Sequence, residues 1–465
     1  MVIHRTGITD KVEVWLSSES APGDKRWFQG SEKLTHQLSR QADLHWTAPT
    51  AASITTLTVT PDHTYQEILG IGTSMEETTV HNLSKMSPSV RTSILNQMTG
   101  IGDQGIGFNL FRLTLGTSDF TAQPFYTYDD IADGETDFEL KQFSIQKDIE
   151  LSIVETVRQL VASAPDLLVF ASPWSPPAWM KTNGSLLRGQ LKEGKEYTEA
   201  LATYYRMAIQ AYLEQGIPIY AMTLQNEPLL ETDYPSCYMS PERQKELALA
   251  LKREFTEHGL DTEIWIFDHN FSNVRAYVTP ILNDIDGFAA VDGIALHDYE
   301  GEPELMSEIH AAYPDKPIYL TERSVWGTEG AHRIAQYFRN YASSYNAWVT
   351  MLDSRIGTHQ WLGTPGPTMF IQDATEADRY WLTPEYYLLG QFTRFVRRGA
   401  VRIESTYGST DTVTNVVFRN PDGGVIAVVI NQTESEQVFR VLCEGNQFTA
   451  VLPAKMVGTY CWRTT

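Results

Sequence analysis

Cysteine is scarce in this chain: three in 465 residues, at 237, 443 and 461, with no CxxC pair and no Cys/His spacing of the zinc type. That excludes a disulfide-stapled scaffold and a structural zinc module. Cys443 and Cys461 could face each other in a terminal hairpin, so a pair or two free thiols both stand. Positive charge is also short, 36 Lys and Arg against 58 Asp and Glu, for a formal net charge of -22. Such a surface repels phosphate backbones and is not drawn to anionic lipid, which excludes nucleic acid as a partner. No run of eighteen apolar residues exists, so no membrane-spanning segment is expected. The first residues, MVIHRTGITDKVEVWL, lack the apolar core of a signal peptide. The expectation is a cytoplasmic protein, or one exported without a recognisable signal. Internal repeats and low-complexity tracts are missing too. The triplets NGS at Asn183 and NQT at Asn431 would matter only in a secreted eukaryotic protein.

What is present is ample apolar material, 42% of residues, in a chain long enough for a large domain and a smaller one. Eight short apolar runs recur: EILGIG (67–72), GFNLFRLTL (107–115), DLLVFAS (166–172), PIYAMTL (218–224), EIWIFD (263–268), VDGIALH (291–297), KPIYLT (316–321) and AWVTML (347–352). Continuous runs of this kind are strands buried on both faces, as in a parallel sheet. Helical stripes separate them. One is Ile145, Ile149, Ile153, Val157 and Val161; another is Leu201, Tyr205, Ala208, Ile209 and Tyr212, stopped by Gly216 and Pro218. Eight strand–helix units predict an α/β fold, a (β/α)8 TIM barrel. The rival, a doubly wound open sheet, would want a glycine-rich phosphate loop, and GIGTSMEE (70–77) is a weak imitation. The two ends read as β: KVEVWL and SITTLTVT before, then AVRIEST, TVTNVVFRN, GVIAVVINQ and EQVFRVL after, with PDGG at 421–424 as a hairpin turn. The expected division is a β-sandwich from residues 1–62 and 395–465, and a catalytic barrel over 63–394.

Chemistry in such a barrel sits at the C-terminal strand ends. Those ends deliver Arg112 and Asp119, Trp174 and Trp179, Asn226 and Glu227, Asp268 with His269 and Asn270, His297 and Tyr299, Glu322, and Trp348 with Asp353. Each alone has an ordinary reading: Arg112 as an ion-pair partner, His297 as a hydrogen-bonded core histidine. Their convergence on one rim does not. TLQNEP (223–228) ends a strand on an amide and a carboxylate, and Pro228 forbids a further ladder bond. Glu227 and Glu322 end the fourth and seventh runs, three units apart, and so face each other across the mouth. Two carboxylates in a pocket rich in Trp and Tyr suit glycoside cleavage. His269, His297 and Asp268 could meet around a metal, but no ligand spacing supports one, and neither metal nor cofactor is expected.

With these residues in view, the chain resembles glycoside hydrolase family 30, the family of the lysosomal glucosylceramidase, from about Gly70 onward. The resemblance is carried by LFRLTLGTSDFT, FASPWSPPAWMKTNG, TLQNEP, GIALHDY, YLTERS and GQFTRFVRRGAVRI. It implies a (β/α)8 barrel with a β-sandwich built from both termini. It implies Glu227 as acid/base and Glu322 as nucleophile. It places Asp119, Trp174 and Asn226 on the nonreducing-end glucose, Tyr299 beside the nucleophile and Arg112 in support. The family's second strand-eight tryptophan is absent: Trp348 is followed by Met351, and Trp361 is the candidate replacement from the next loop. The resulting expectation is a retaining β-glycosidase of terminal β-glucosides, with a carbohydrate or glycolipid substrate of the glucosylceramide kind. The alternatives are an endo-β-1,6-glucanase or β-xylosidase of the same family and, in a different class, a non-catalytic sugar- or lipid-binding barrel. Both carboxylates are present, which weighs against the last.

Overall fold

The computed structural model describes residues 11–19, 34–50, 53–102 and 105–464. The first ten residues, on which the signal-peptide reading leans, lie outside them. Eight strands form the centre: β1 (Gly70–Ser74), β2 (Leu110–Leu115), β3 (Leu168–Pro173), β4 (Ile219–Thr223), β5 (Glu263–Asn270), β6 (Gly293–His297), β7 (Ile318–Glu322) and β8 (Ala342–Ala347). Each pairs in parallel with the next, and β8 pairs with β1, closing the barrel.

Strand periodicity explains where the chemistry begins. Leu110, Phe170, Ala221, Trp265, Ala295 and Tyr319 pack as one apolar cluster inside the barrel. The Trp265 and Tyr319 rings stack at 3.9 Å. Two residues further along, side chains point inward again. There the residues are Arg112, Ser172, Thr223, His297 and Thr321, all buried. One step along each strand therefore converts a hydrophobic plug into a polar floor. β5 joins this layer irregularly. Phe267 and Asp268 have φ of 78° and 62°, and the register with β6 slips beside them, so Asp268 turns inward. A second slip lies between Leu296 and His297 where β6 meets β7. Such bulges re-aim side chains next to sites.

Two expectations are corrected here. The eighth strand is ASSYNA (342–347), not AWVTML. Two of its polar side chains are tied to neighbouring backbone: Asn346 Nδ2 donates to the Leu110 carbonyl at 2.9 Å, and the Tyr345 hydroxyl to the Arg323 carbonyl at 2.8 Å, while Ser344 Oγ and Asn346 Oδ1 are buried without a partner. A strand that buries polar side chains carries no hydropathy signal. Met351–Asp353 instead joins Phe370–Gln372 and Tyr380–Leu382 in a small sheet of its own. The isoleucine and valine stripe at 145–161 is two helices, Gln146–Glu150 and Ile153–Ser163, broken at Ser152 with φ 64°. Asp148 turns inward to accept hydrogen bonds from the hydroxyls of Tyr126, Tyr128 and Tyr212, and Ile149 is left 39% exposed.

Strands from both ends of the chain share one ten-stranded sheet. Lys11–Ser18 and Thr55–Glu67 pair with strands between Val401 and Arg463. PDGG closes the hairpin of Thr414–Arg419 and Gly424–Asn431. The sheet folds over a core in which Phe448 and Tyr460 stack at 5.7 Å. Cys237, Cys443 and Cys461 are all free. Helix Pro384–Thr393 docks this sheet onto the barrel. Gln391 Nε2 donates to Ser17 Oγ at 2.7 Å, Thr459 Oγ1 donates to Gln391 Oε1 at 2.6 Å, and Ser17 Oγ donates to the Tyr387 carbonyl at 2.9 Å. Among the described residues no helix is long and apolar enough to cross a membrane.

Candidate active site

The loop after β4 is held from both sides. Asn226 N–H donates to the Pro173 carbonyl at 2.8 Å and Glu227 N–H to the Asp268 carbonyl at 3.0 Å. Gln225 Nε2 donates to the Trp174 carbonyl at 2.7 Å. Glu227 has φ 47°, a left-handed conformation costly for a side-chain-bearing residue. Strain of this kind persists where surrounding bonds enforce it, and here it aims a carboxylate into the barrel mouth.

Glu322 ends β7 and is held at both oxygens. Arg112 Nη1 donates to its Oε2, and the Tyr299 hydroxyl donates to its Oε1 at 2.7 Å. One oxygen each of Glu227 and Glu322 and a ring nitrogen of His297 all lie within 4.8 Å of one another. That spacing falls with the close carboxyl pair of retaining glycosidases, about 5–5.5 Å, and below the roughly 6.5–9.5 Å of inverting ones. The same trio has the residue types of a metal site. Its donors are already committed to Arg112, Tyr299 and one another, which makes it an ion-pair network.

Beneath the carboxylates lies the polar floor. Arg112 donates from Nε to Ser172 Oγ (3.1 Å) and from Nη2 to Asn226 Oδ1 (2.9 Å) and Asp268 Oδ2 (2.8 Å). Its guanidinium also lies 4.8 Å from the Trp174 ring centre and 5.5 Å from that of Trp348. Burial pushes the Asp268 carboxyl up, but Arg112 and His297 outweigh it and hold the group well below the carboxylate range. Burial pushes the His297 imidazole down; the charges of Glu322 and Asp268 outweigh it and raise the group to about 10. His297 is therefore an imidazolium at neutral pH, 3.0 Å from Asp268 Oδ1 and 3.4 Å from Glu227 Oε1. Asp119 goes the other way. Burial, with Glu322 and Glu227 nearby, pushes its carboxyl well above its ordinary range. Burial and the neighbouring His297 hold His269 down to about 4, hence neutral.

The raised His297 value has a stability consequence of definite sign. The folded protein binds the proton more tightly than the unfolded chain, whose histidines titrate near 6.5. The contribution is complete below that pH and is lost as pH rises through about 10. Melting temperatures of the wild type and His297→Gln, taken from pH 6 to 10, should converge as pH rises. A gap that widens would place a neutral imidazole in the floor.

The profile of the "Glycosyl hydrolase family 30 TIM-barrel domain" matches residues 68–396, and that of the family's "beta sandwich domain" matches 399–460. The chain belongs to glycosyl hydrolase family 30. Similar proteins include an "Endo-1,6-beta-D-glucanase" of Neurospora crassa, 30% identical over 412 residues covering 83% of this chain and 82% of that one. The "Lysosomal acid glucosylceramidase" of Mus musculus is 26% identical over 434 residues, 88% of this chain and 83% of that one. Among solved structures, "The endo-beta1,6-glucanase BT3312" superposes with a TM-score of 0.85 at 28% identity, over 98% of this chain and all of the other.

In this family 30 barrel the mouth opens into a cavity of about 770 Å³. Of the residues picked from sequence, Asp119, Trp174, Asn226, Glu227, His269, Asn270, Tyr299, Glu322, Trp348 and Trp361 line it. Arg112 and His297 do not; they lie one layer below, where they fix the carboxylates instead of facing a substrate. Trp179 is a buried partner of Asp129, and Asp353 caps the turn at Arg355, both away from the cavity. Trp348 stacks on Trp174 at 5.1 Å, and Trp361 reaches the wall through Phe120. Sequence reading missed Phe120, Tyr234, Trp326, Glu385 and Glu19, which also line the cavity. Phe120 and Trp326 sit inside or next to motifs already singled out. Glu19 follows the Lys11–Ser18 strand, and no local signal links it to the barrel.

Proposed function

We propose that the protein is a retaining endo-β-1,6-glucanase. Glu322 attacks the anomeric carbon while Glu227 protonates the departing glycosidic oxygen, giving a glycosyl-enzyme ester. Glu227 then takes a proton from water as that water releases the sugar. Arg112 and Tyr299 hold the nucleophile; Asn226, anchored by Arg112, meets the sugar 2-hydroxyl; Asp119 and the Trp174 face bind the rest of the ring. The observation that carries the mechanism is the pair of carboxylate oxygens within 4.8 Å in one cavity. The linkage rests on the similarity to named endo-1,6-glucanases, three at 30% identity. The first expectation, a glucosylceramide-type substrate, has the support only of relatives at 26–27% and gives way to its alternative.

A substrate panel tests this. Linear β-1,6-glucan should yield a ladder of oligosaccharides from internal cuts, faster than aryl β-xylosides or micellar glucosylceramide are cleaved. Proton NMR of the first-formed sugar should show the β-anomer. Release of glucose alone would make the enzyme exo-acting, and an initial α-anomer would sink the double displacement.

A further inference from the structure

The cavity has two unlike ends. Around the two glutamates its walls are buried: Asp119, Trp174 and Trp348 are 6%, 2% and 6% exposed. Past Glu322 it opens beside Trp326, which is 52% exposed. A large exposed indole at a cavity wall is the flat apolar face to which a sugar's C–H side packs. Gly366 of the 364–367 turn lies against it and against Ser324.

Next to Trp326 is a carboxyl whose hydrogen bonds, from Gly327 and Thr383, leave one oxygen over. Glu385 is 6% exposed and lines the same end, yet its Oε2 has no hydrogen-bond partner. A buried polar atom without a partner is uncommon in native proteins. Nothing in the proposed mechanism uses this residue. Glu19 lies close by, its Oε2 accepting from the Thr328 N–H at 2.7 Å and from the Thr328 hydroxyl.

We propose that Trp326 and Glu385, with Glu19 beside them, form the subsite for the sugar on the leaving side of the scissile bond. It rests on the glycosidase reading and deepens it. The buried end fits the sugar being transferred, because it holds both catalytic candidates; the open end fits the part that departs. Burial pushes the Glu385 carboxyl up to about 7, against the hydrogen bonds from Gly327 and Thr383 that pull it down, and its protonated form both donates and accepts. That suits a hydroxyl, which also does both, better than it suits an ammonium group. The ligand class is therefore a neutral hexose joined through its hydroxyl to the transferred sugar.

Trp326→Ala and Glu385→Met test it; the first trims a half-exposed side chain, and the second puts an apolar chain of similar volume in a buried place. For each, the ratio of kcat/KM on gentiotriose to kcat/KM on β-glucosyl fluoride should fall about tenfold, since fluoride as leaving group puts nothing against the indole and needs no hydroxyl partner. Trp326→Phe should restore most of the ratio. Calorimetry of gentiobiose binding to Glu322→Gln, with and without Trp326→Ala, reads the subsite with no turnover at all. Weaker binding in the double variant supports the subsite even if the wild type fails to hydrolyse either substrate, a failure that would count against the glycosidase reading alone. An unchanged ratio, equal loss on both substrates, or unchanged gentiobiose binding overturns it. So does tighter binding of an amino-sugar disaccharide than of gentiobiose.

Discussion

Glu322→Gln should fold as the wild type does and lose turnover by roughly 10⁴-fold or more. The amide keeps the shape and still accepts from Arg112, while Asp268 remains to neutralise that guanidinium. The loss is confined to the attacking charge. Removing Arg112 instead would take from Asp268 one of its two cationic partners, at a cost of up to about 3–5 kcal/mol, and so would confuse folding with catalysis. A 2-fluoroglucoside with a good leaving group should esterify Glu322, read as a mass shift on its peptide. Labelling of Asp298 or Glu300 would move the nucleophile to the end of β6. Asp298 is poorly suited to that role, because Arg333 Nε and the Tyr337 hydroxyl both donate to its Oδ2, the first at 2.7 Å.

Glu227→Ala should separate substrates by their leaving groups. Poor leaving groups need the proton and should slow by about 10²–10⁴-fold. Activated aryl glucosides should still form the ester, which then accumulates for want of a base. Azide needs no deprotonation, so its addition should restore turnover and give the β-glucosyl azide. Equal slowing of good and poor leaving groups, with no azide product, would demote Glu227 to a structural carboxylate.

The barrel was legible because seven of its strands lie in or overlap continuous apolar runs. β8 was not, since ASSYNA buries Ser343, Ser344, Tyr345 and Asn346, and periodicity registers only hydropathy. The polar floor was half visible. Arg112 and His297 stand in recognisable motifs, but their depth depends on which way a strand residue points. For Asp268 that direction is reset by a bulge with two left-handed residues. Glu19 and Glu385 were out of reach, separated by 366 positions (385 − 19) and joined only by the docking of one domain on the other.

That docking has a consequence for how such an enzyme can change. Glu19 hangs from the sheet, Glu385 from the docking helix, and the Ser17, Gln391 and Thr459 hydrogen bonds fix the two in relation. The sheet thus reaches, through Glu19, into the wall of the cavity. Exchanging it for that of another family member would alter which glycosides are chosen while leaving every barrel residue untouched. In this lineage, selectivity can be inherited through the companion domain.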